Sequence, residues 1–191
     1  MPVTASNLAL GPGDLYTAPF GSTEPLDSAM STPATAPSAP WTSRGGTQDG
    51  VNLIVDQKYT ALEVDQVVDV VGRRLTSRDI QVETNLAELT LDNLKTALNG
   101  GTITEDAVND VDSYELDYAT SATQPTYFAL LIDAFGPNSK TRRIVVRKTL
   151  STDKVAFAYS KDKQSVYTVQ FSAHYVSSSI SPLRVVDDTS A

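Results

Sequence analysis

Asp79-Ile80-Gln81-Val82-Glu83-Thr84-Asn85-Leu86 decides the fold class. Ile80, Val82, Thr84 and Leu86 share one face, and Asp79, Gln81, Glu83 and Asn85 share the other. A period of two with one dry and one wet face is a half-buried strand. Just downstream, Thr90 is placed to cap a helix, and Leu91, Leu94 and Leu98 form an apolar stripe at helical spacing. Asn99-Gly100-Gly101 ends it. The spacing predicts one short helix over 90–99, too short to stand without packing on a sheet.

The same period-two pattern recurs outward in both directions. Upstream, Val51, Leu53 and Val55 alternate with Asn52 and Asp56. Downstream, Tyr127 to Phe135 is apolar on both faces apart from Asp133, as in a central strand. In Lys140 to Leu150, Ile144, Val146 and Leu150 point one way and Arg143, Val145 and Arg147 the other. Val155, Phe157 and Tyr159 predict a further strand, and Tyr167, Val169, Phe171, Ala173 and Tyr175 the last. Gly136-Pro137-Asn138-Ser139 and Ser160-Lys161-Asp162-Lys163 are turns, so 126–176 reads as a three-stranded antiparallel meander.

Residues 1–50 differ in kind. Pro, Ala, Ser and Thr dominate Ser28 to Pro40, a composition that builds no core of its own. This stretch is either a disordered linker or an arm that orders on a neighbouring subunit. The expected organisation is an extended arm and loop over 1–50, a β-domain over 51–180 and a C-terminal arm over 181–191. The expected fold is mainly β: a β-sandwich or partly open barrel of antiparallel strands with one flanking α-helix.

The chain has 191 residues, enough for one domain with a sizeable core, and no cysteine, which excludes disulfides and thiolate metal sites. Its net charge of -8 argues against a surface that grips nucleic acid, though not against DNA passing by. Met1 to Ser6 carries no basic start leading into an apolar run, so no secretory signal is expected. No apolar stretch approaches the ~20 residues needed to span a bilayer.

Motifs that would carry chemistry are missing or broken. His174 is the only histidine, on the strand face with Thr168, Gln170 and Ser172, and no G-x-S-x-G elbow accompanies it. The acidic run Glu105, Asp106, Asp110, Asp112, Glu115, Asp117 fails the calcium-loop pattern, because Tyr114, Glu115 and Ser121 fall where a ligand, a glycine and the final glutamate belong. No phosphate-binding or dinucleotide glycine loop occurs. No catalytic residue, metal or cofactor is expected. The basic cluster Lys140, Arg142, Arg143, Arg147, Lys148 lacks interleaved aromatics for base stacking. It is either a charged edge strand or a surface that meets the acidic 105–117 segment of another copy. On the second reading Arg142, Arg143, Arg147, Asp110 and Asp112 are inter-subunit candidates, with Trp41 added from the arm.

Several blocks in order resemble a known family. Gly13-Asp14-Leu15-Tyr16, Ala18-Pro19-Phe20-Gly21 and Glu24-Pro25 resemble the opening of the major tail proteins, or tail tube proteins, of long-tailed bacteriophages. Trp41 followed by Thr47-Gln48-Asp49-Gly50-Val51 resembles their next block. Arg73-Arg74-Leu75-Thr76-Ser77-Arg78-Asp79-Ile80-Gln81-Val82 resembles the strand that leads into their helix, and Leu86-Ala87-Glu88-Leu89, Leu94, Ala97-Leu98 and Gly100-Gly101 resemble the helix.

The resemblance implies a virion structural protein of a siphophage, assembled in the bacterial cytoplasm. It implies self-assembly into hexameric rings stacked as a tube, built around a tape-measure protein and bounded by tail terminator and baseplate proteins. Genomic DNA would pass through the bore at ejection without specific binding, and no membrane insertion is implied. Asp79, Gln81, Glu83 and Asn85 are then the first candidates to face the bore, and the 166–174 strand the second. Two other readings stay open: a monomeric β-sandwich binding module, and a tube subunit of a bacterial contractile injection system.

Overall fold

The computed structural model describes residues 7–9, 11–30, 34–156 and 159–189. Among them, ten strands and one α-helix follow in chain order: β1 (Asp14–Pro19), β2 (Thr42–Ser43), β3 (Thr47–Val64), β4 (Val67–Leu86), α1 (Leu91–Ala97), β5 (Thr102–Asp106), β6 (Val111–Glu115), β7 (Phe128–Phe135), β8 (Thr141–Ser151), β9 (Tyr167–Ala173) and β10 (Leu183–Asp187). Eight strands form one antiparallel sheet in the order β2-β1-β7-β8-β9-β4-β3, with β10 added beside β8. β5 and β6 form a separate two-stranded sheet. The fold is mainly β and antiparallel, with no closed barrel, and is consistent with a β-sandwich.

The main core joins side chains from distant parts of the sheet: Leu15 of β1, Leu130 and Ile132 of β7, Val146 of β8, Phe171 of β9, and Val82 and Leu86 of β4. A smaller cluster of Ala18, Trp41, Ala129, Leu131 and Val145 covers the other face of β7 and β8. β7 is thus buried on both faces, as its continuous apolar run requires. Asp133 interrupts that run and is itself buried, so its charge needs a partner. Arg143, its cross-strand neighbour, supplies both bonds of a bidentate pair: Nε and Nη2 each donate to a carboxylate oxygen at 2.7 Å.

The meander β7-β8-β9 forms with its turns where expected, but two details differ. A bulge on β8 lets Phe128 pair with Thr149 while Leu130 pairs with Val146. The extra residue switches the alternation, so Thr149 rather than Leu150 faces the core. The strand expected over 155–159 is absent in its described part, where Ala156 makes a single bridge to Thr168. Phe157 lies outside the described residues.

The helix begins at the expected cap, with Thr90 Oγ1 accepting from Asn93 N at 3.2 Å. Its buried positions are Asn93 and Ala97; of the expected Leu91-Leu94-Leu98 stripe, all partly buried, Leu94 packs against the main core. Asn93 tolerates burial because Nδ2 donates to the carbonyls of Arg44 (3.0 Å) and Glu88 (2.8 Å). Asn99, left-handed after the last turn, exchanges two 2.7 Å bonds with the backbone of Ser151. At Gly101 a Cβ would lie 2.4 Å from the Tyr114 ring, so only glycine fits.

The sheet also reaches beyond the expected domain limits. β1, within the expected arm, pairs along its whole length with β7, and β10 pairs with β8 from within the expected C-terminal arm. The limit at residue 50 falls inside β3. Trp41 and Met30 are buried, and Trp41 Nε1 donates to the Thr23 carbonyl at 2.9 Å. The described part of the Pro-rich segment is therefore anchored to its own subunit. The pattern failed here because a few well-spaced anchors, not composition, decide whether such a segment packs.

Candidate functional site

Two features stand outside the core: a broad polar face, and a hairpin that projects past the body. The polar face is centred on β4. Ile80, Val82, Thr84 and Leu86 are buried beneath it, which leaves Asp79, Gln81, Glu83 and Asn85 on the outer side together, as expected. The register adds β9 to the same face, because Gln81 pairs with Ser172, Glu83 with Gln170 and Asn85 with Thr168. The first and second candidates to face the bore are thus adjacent strands of one surface. β3 completes it, with Asn52 beside Glu83, Ile54 beside Gln81 and Asp56 beside Asp79.

Local hydrogen bonds tie the polar side chains of this face to one another. Gln81 Nε2 donates to Asp79 Oδ2 at 2.7 Å, Asn85 Nδ2 to Asp49 Oδ2 at 3.2 Å, and Thr168 Oγ1 to Asn85 Oδ1 at 2.8 Å. Asp49, Asp56, Asp79 and Glu83 make it acidic, and Lys58 at 3.9 Å from Asp56 is the cation closest to a carboxylate there. Such a surface offers hydrogen bonds to water and repulsion to phosphate.

The hairpin is β3 and β4 continued outward. β4 is exposed over 67–79 except at Gly72, and β3 over 55–64 except at Ala61. Val64, Val67, Val68, Val70 and Val71 near its Asp65-Gln66 turn are all exposed. The two strands stay paired out to Val64 and Val67, with register shifts at Lys58/Tyr59 and Leu62/Val64, and the β-branched content suits strands. A lone two-stranded ribbon is nonetheless marginal in water. Sequence reading missed its length, since the valine-rich run beyond Tyr59 does not alternate. The available signal was the absence of any Gly or Pro between Gly50 and Gly72.

The basic cluster of β8 is engaged within the subunit. Arg142 forms a bidentate pair with Asp187 of β10 at 2.6 and 2.7 Å, which holds that carboxyl below the usual range. Arg143 is 2% exposed against Asp133. Arg147 bonds to Glu24, and Arg184 bonds to Glu24 and Asp27, which staples the start of the arm to β8 and β10. Trp41 lies in the core. The acidic segment forms the β5-β6 hairpin. Asp106 caps its turn, with bonds from Asn109 that lower its pKa first among several. Asp117 accepts from Gly101 N and Thr102 Oγ1. Asp110 sits in the turn with a left-handed backbone, and Asp112 lies on β6. No group of three metal-ligating side chains occurs among the described residues. His174 packs edge-on against Tyr127 at 5.2 Å, beside the Lys148 ammonium that lies over the same ring.

The family model described as phage tail tube protein matches residues 5–183. The chain belongs to the phage tail tube protein family. A comparison with curated proteins gives no match. Membership makes this a structural protein of the phage tail, a virion component that self-assembles into a tube. For a tail tube protein the polar face and the uncovered hairpin are the two surfaces an isolated subunit leaves unexplained.

Proposed function

We propose that this chain is the major tail protein of a long-tailed, non-contractile phage, polymerising as stacked hexameric rings. The β3-β4-β9 polar face lines the bore, with Asp79, Gln81, Glu83 and Asn85 at its centre. The tube forms around a tape-measure protein, ends against terminator and baseplate proteins, and conducts genomic DNA to the host. The observation that carries this reading is the β3-β4 hairpin, whose outer half has neither face covered by its own subunit. A ribbon with that much exposed valine gains stability only from a neighbour. The acidic face supports the bore assignment. Double-stranded DNA carries one negative charge per ~1.7 Å, so carboxylates along a bore prevent it from sticking.

Electron microscopy of the purified protein tests this. Rings or tubes are expected, with the Asp79 to Asn85 face inward in a reconstructed map. A monodisperse monomer at high concentration, with tail partners present, rejects the assembly. A map with this face outward rejects the bore assignment alone.

A further inference from the structure

The eight arginines divide by location. Arg44, Arg142, Arg143, Arg147 and Arg184 each have a side-chain partner in the body. Arg73, Arg74 and Arg78 on the hairpin stem are exposed, and their side chains have no hydrogen-bond or ion-pair partner among the described residues. The register pairs Arg78 with Gln57, Leu75 with Tyr59 and Arg73 with Ala61. Directly paired residues share a face, so one side of the stem carries Tyr59 and Leu75 between two guanidinium groups.

The cleft between α1 and the β5-β6 hairpin has the opposite character. Asp92, Glu105 and Asp112 line it with a single cation, Lys95. Glu105 and Asp112 are direct cross-strand partners, an arrangement that repels unless a cation lies between them. Neither carboxylate has a partner among the described residues. Val108 and Val111 of the same β5-β6 hairpin are exposed, as are the valines of the long hairpin.

We propose that the acidic α1/β5-β6 cleft of one subunit receives the side of the β3-β4 stem that carries Arg73, Leu75 and Arg78 of a second copy. The contact joins two different surfaces, so it is head-to-tail and propagates into rings or stacks. It names the partner of the hairpin within the tube reading above, and rests on that reading. It also moves the electrostatic complement of the acidic segment from β8, whose arginines are already paired, to β4.

Charge exchange tests it. Arg73→Glu with Arg78→Glu is expected to slow tube elongation about tenfold or more at fixed concentration, the scale of exposed ion pairs acting together. Glu105→Lys with Asp112→Lys is expected to do the same. Circular dichroism and thermal unfolding of both variants should match the parent, since the changed residues are exposed. Combining the two sets in one chain should restore elongation to within about threefold of the parent. The inference is overturned if either single set elongates like the parent, or if the combined chain stays as slow as the single sets. Because the chain lacks cysteine, Arg73→Cys and Asp112→Cys on separate subunits give a second readout. Oxidation of co-assembled tubes should yield a crosslinked pair, and its absence counts against the contact. Failure of the parent itself to form rings or tubes would reject the tube reading; normal assembly of the charge variants would remove only this contact.

Discussion

The inner and outer halves of the β3-β4 hairpin share the same two antiparallel strands, yet they live in different environments. In the inner half, Ile80, Val82, Thr84 and Leu86 face a core and β9 flanks β4. In the outer half both faces meet solvent. The charges divide in the same way: the body pairs its arginines, while the hairpin stem leaves Arg73, Arg74 and Arg78 open. Backbone pairing thus extends a strand beyond the body, but side-chain cover decides where its stability comes from. The inner half belongs to the subunit and the outer half to the assembly.

The sharpest contrast is between paired and open charges. Asp133→Ala leaves Arg143 buried without its carboxylate, which should cost about 3–5 kcal/mol of subunit stability in denaturant unfolding. Asp133→Leu with Arg143→Met should recover most of that loss, because it removes both charges from the interior. A loss below about 1 kcal/mol in the single variant would show that the pair is not desolvated. The apolar version of the contrast is smaller. Leu86→Ala, at a fully buried site, should cost about 2–5 kcal/mol. Leu75→Ala, the same chemical change on the same strand, should alter subunit stability by no more than ~0.5 kcal/mol. Equal losses at the two sites would mean that the outer hairpin packs on its own body.

This division explains what the sequence revealed. The Ile80 to Leu86 strand was legible because one side is dry and the other wet, and the polar set Asp79, Gln81, Glu83, Asn85 came with it. Thr90 was legible because capping is local. The outer hairpin was not, since Val67-Val68 and Val70-Val71 present apolar side chains to both faces and break the alternation that signals a half-covered strand. The bulge that turns Leu150 away from the core leaves no mark in a binary pattern. The engagement of Arg142, Arg143 and Arg147 was hidden for another reason. Their partners Asp187, Asp133 and Glu24 lie 45, 10 and 123 residues away, and only the folded sheet brings them together.

The smallest expected effect lies where the two halves meet. Asp56 and Asp79 are direct cross-strand partners on the polar face at the point where the ribbon leaves the body. Like charges in that position repel, and Lys58 at 3.9 Å from Asp56 offsets only part of it in exposed surroundings. Gln81 donates to Asp79, so Asp79 is the better-anchored member of the pair. Asp56→Asn should therefore stabilise the root of the hairpin by about 0.4 kcal/mol without touching the core. In the free subunit that slows amide exchange of the outer ribbon about twofold and leaves global unfolding unchanged. Exchange that stays the same or speeds up would show that Lys58 and water already neutralise the pair. The hairpin's independence would then rest on missing side-chain cover alone, with no contribution from charge at its root.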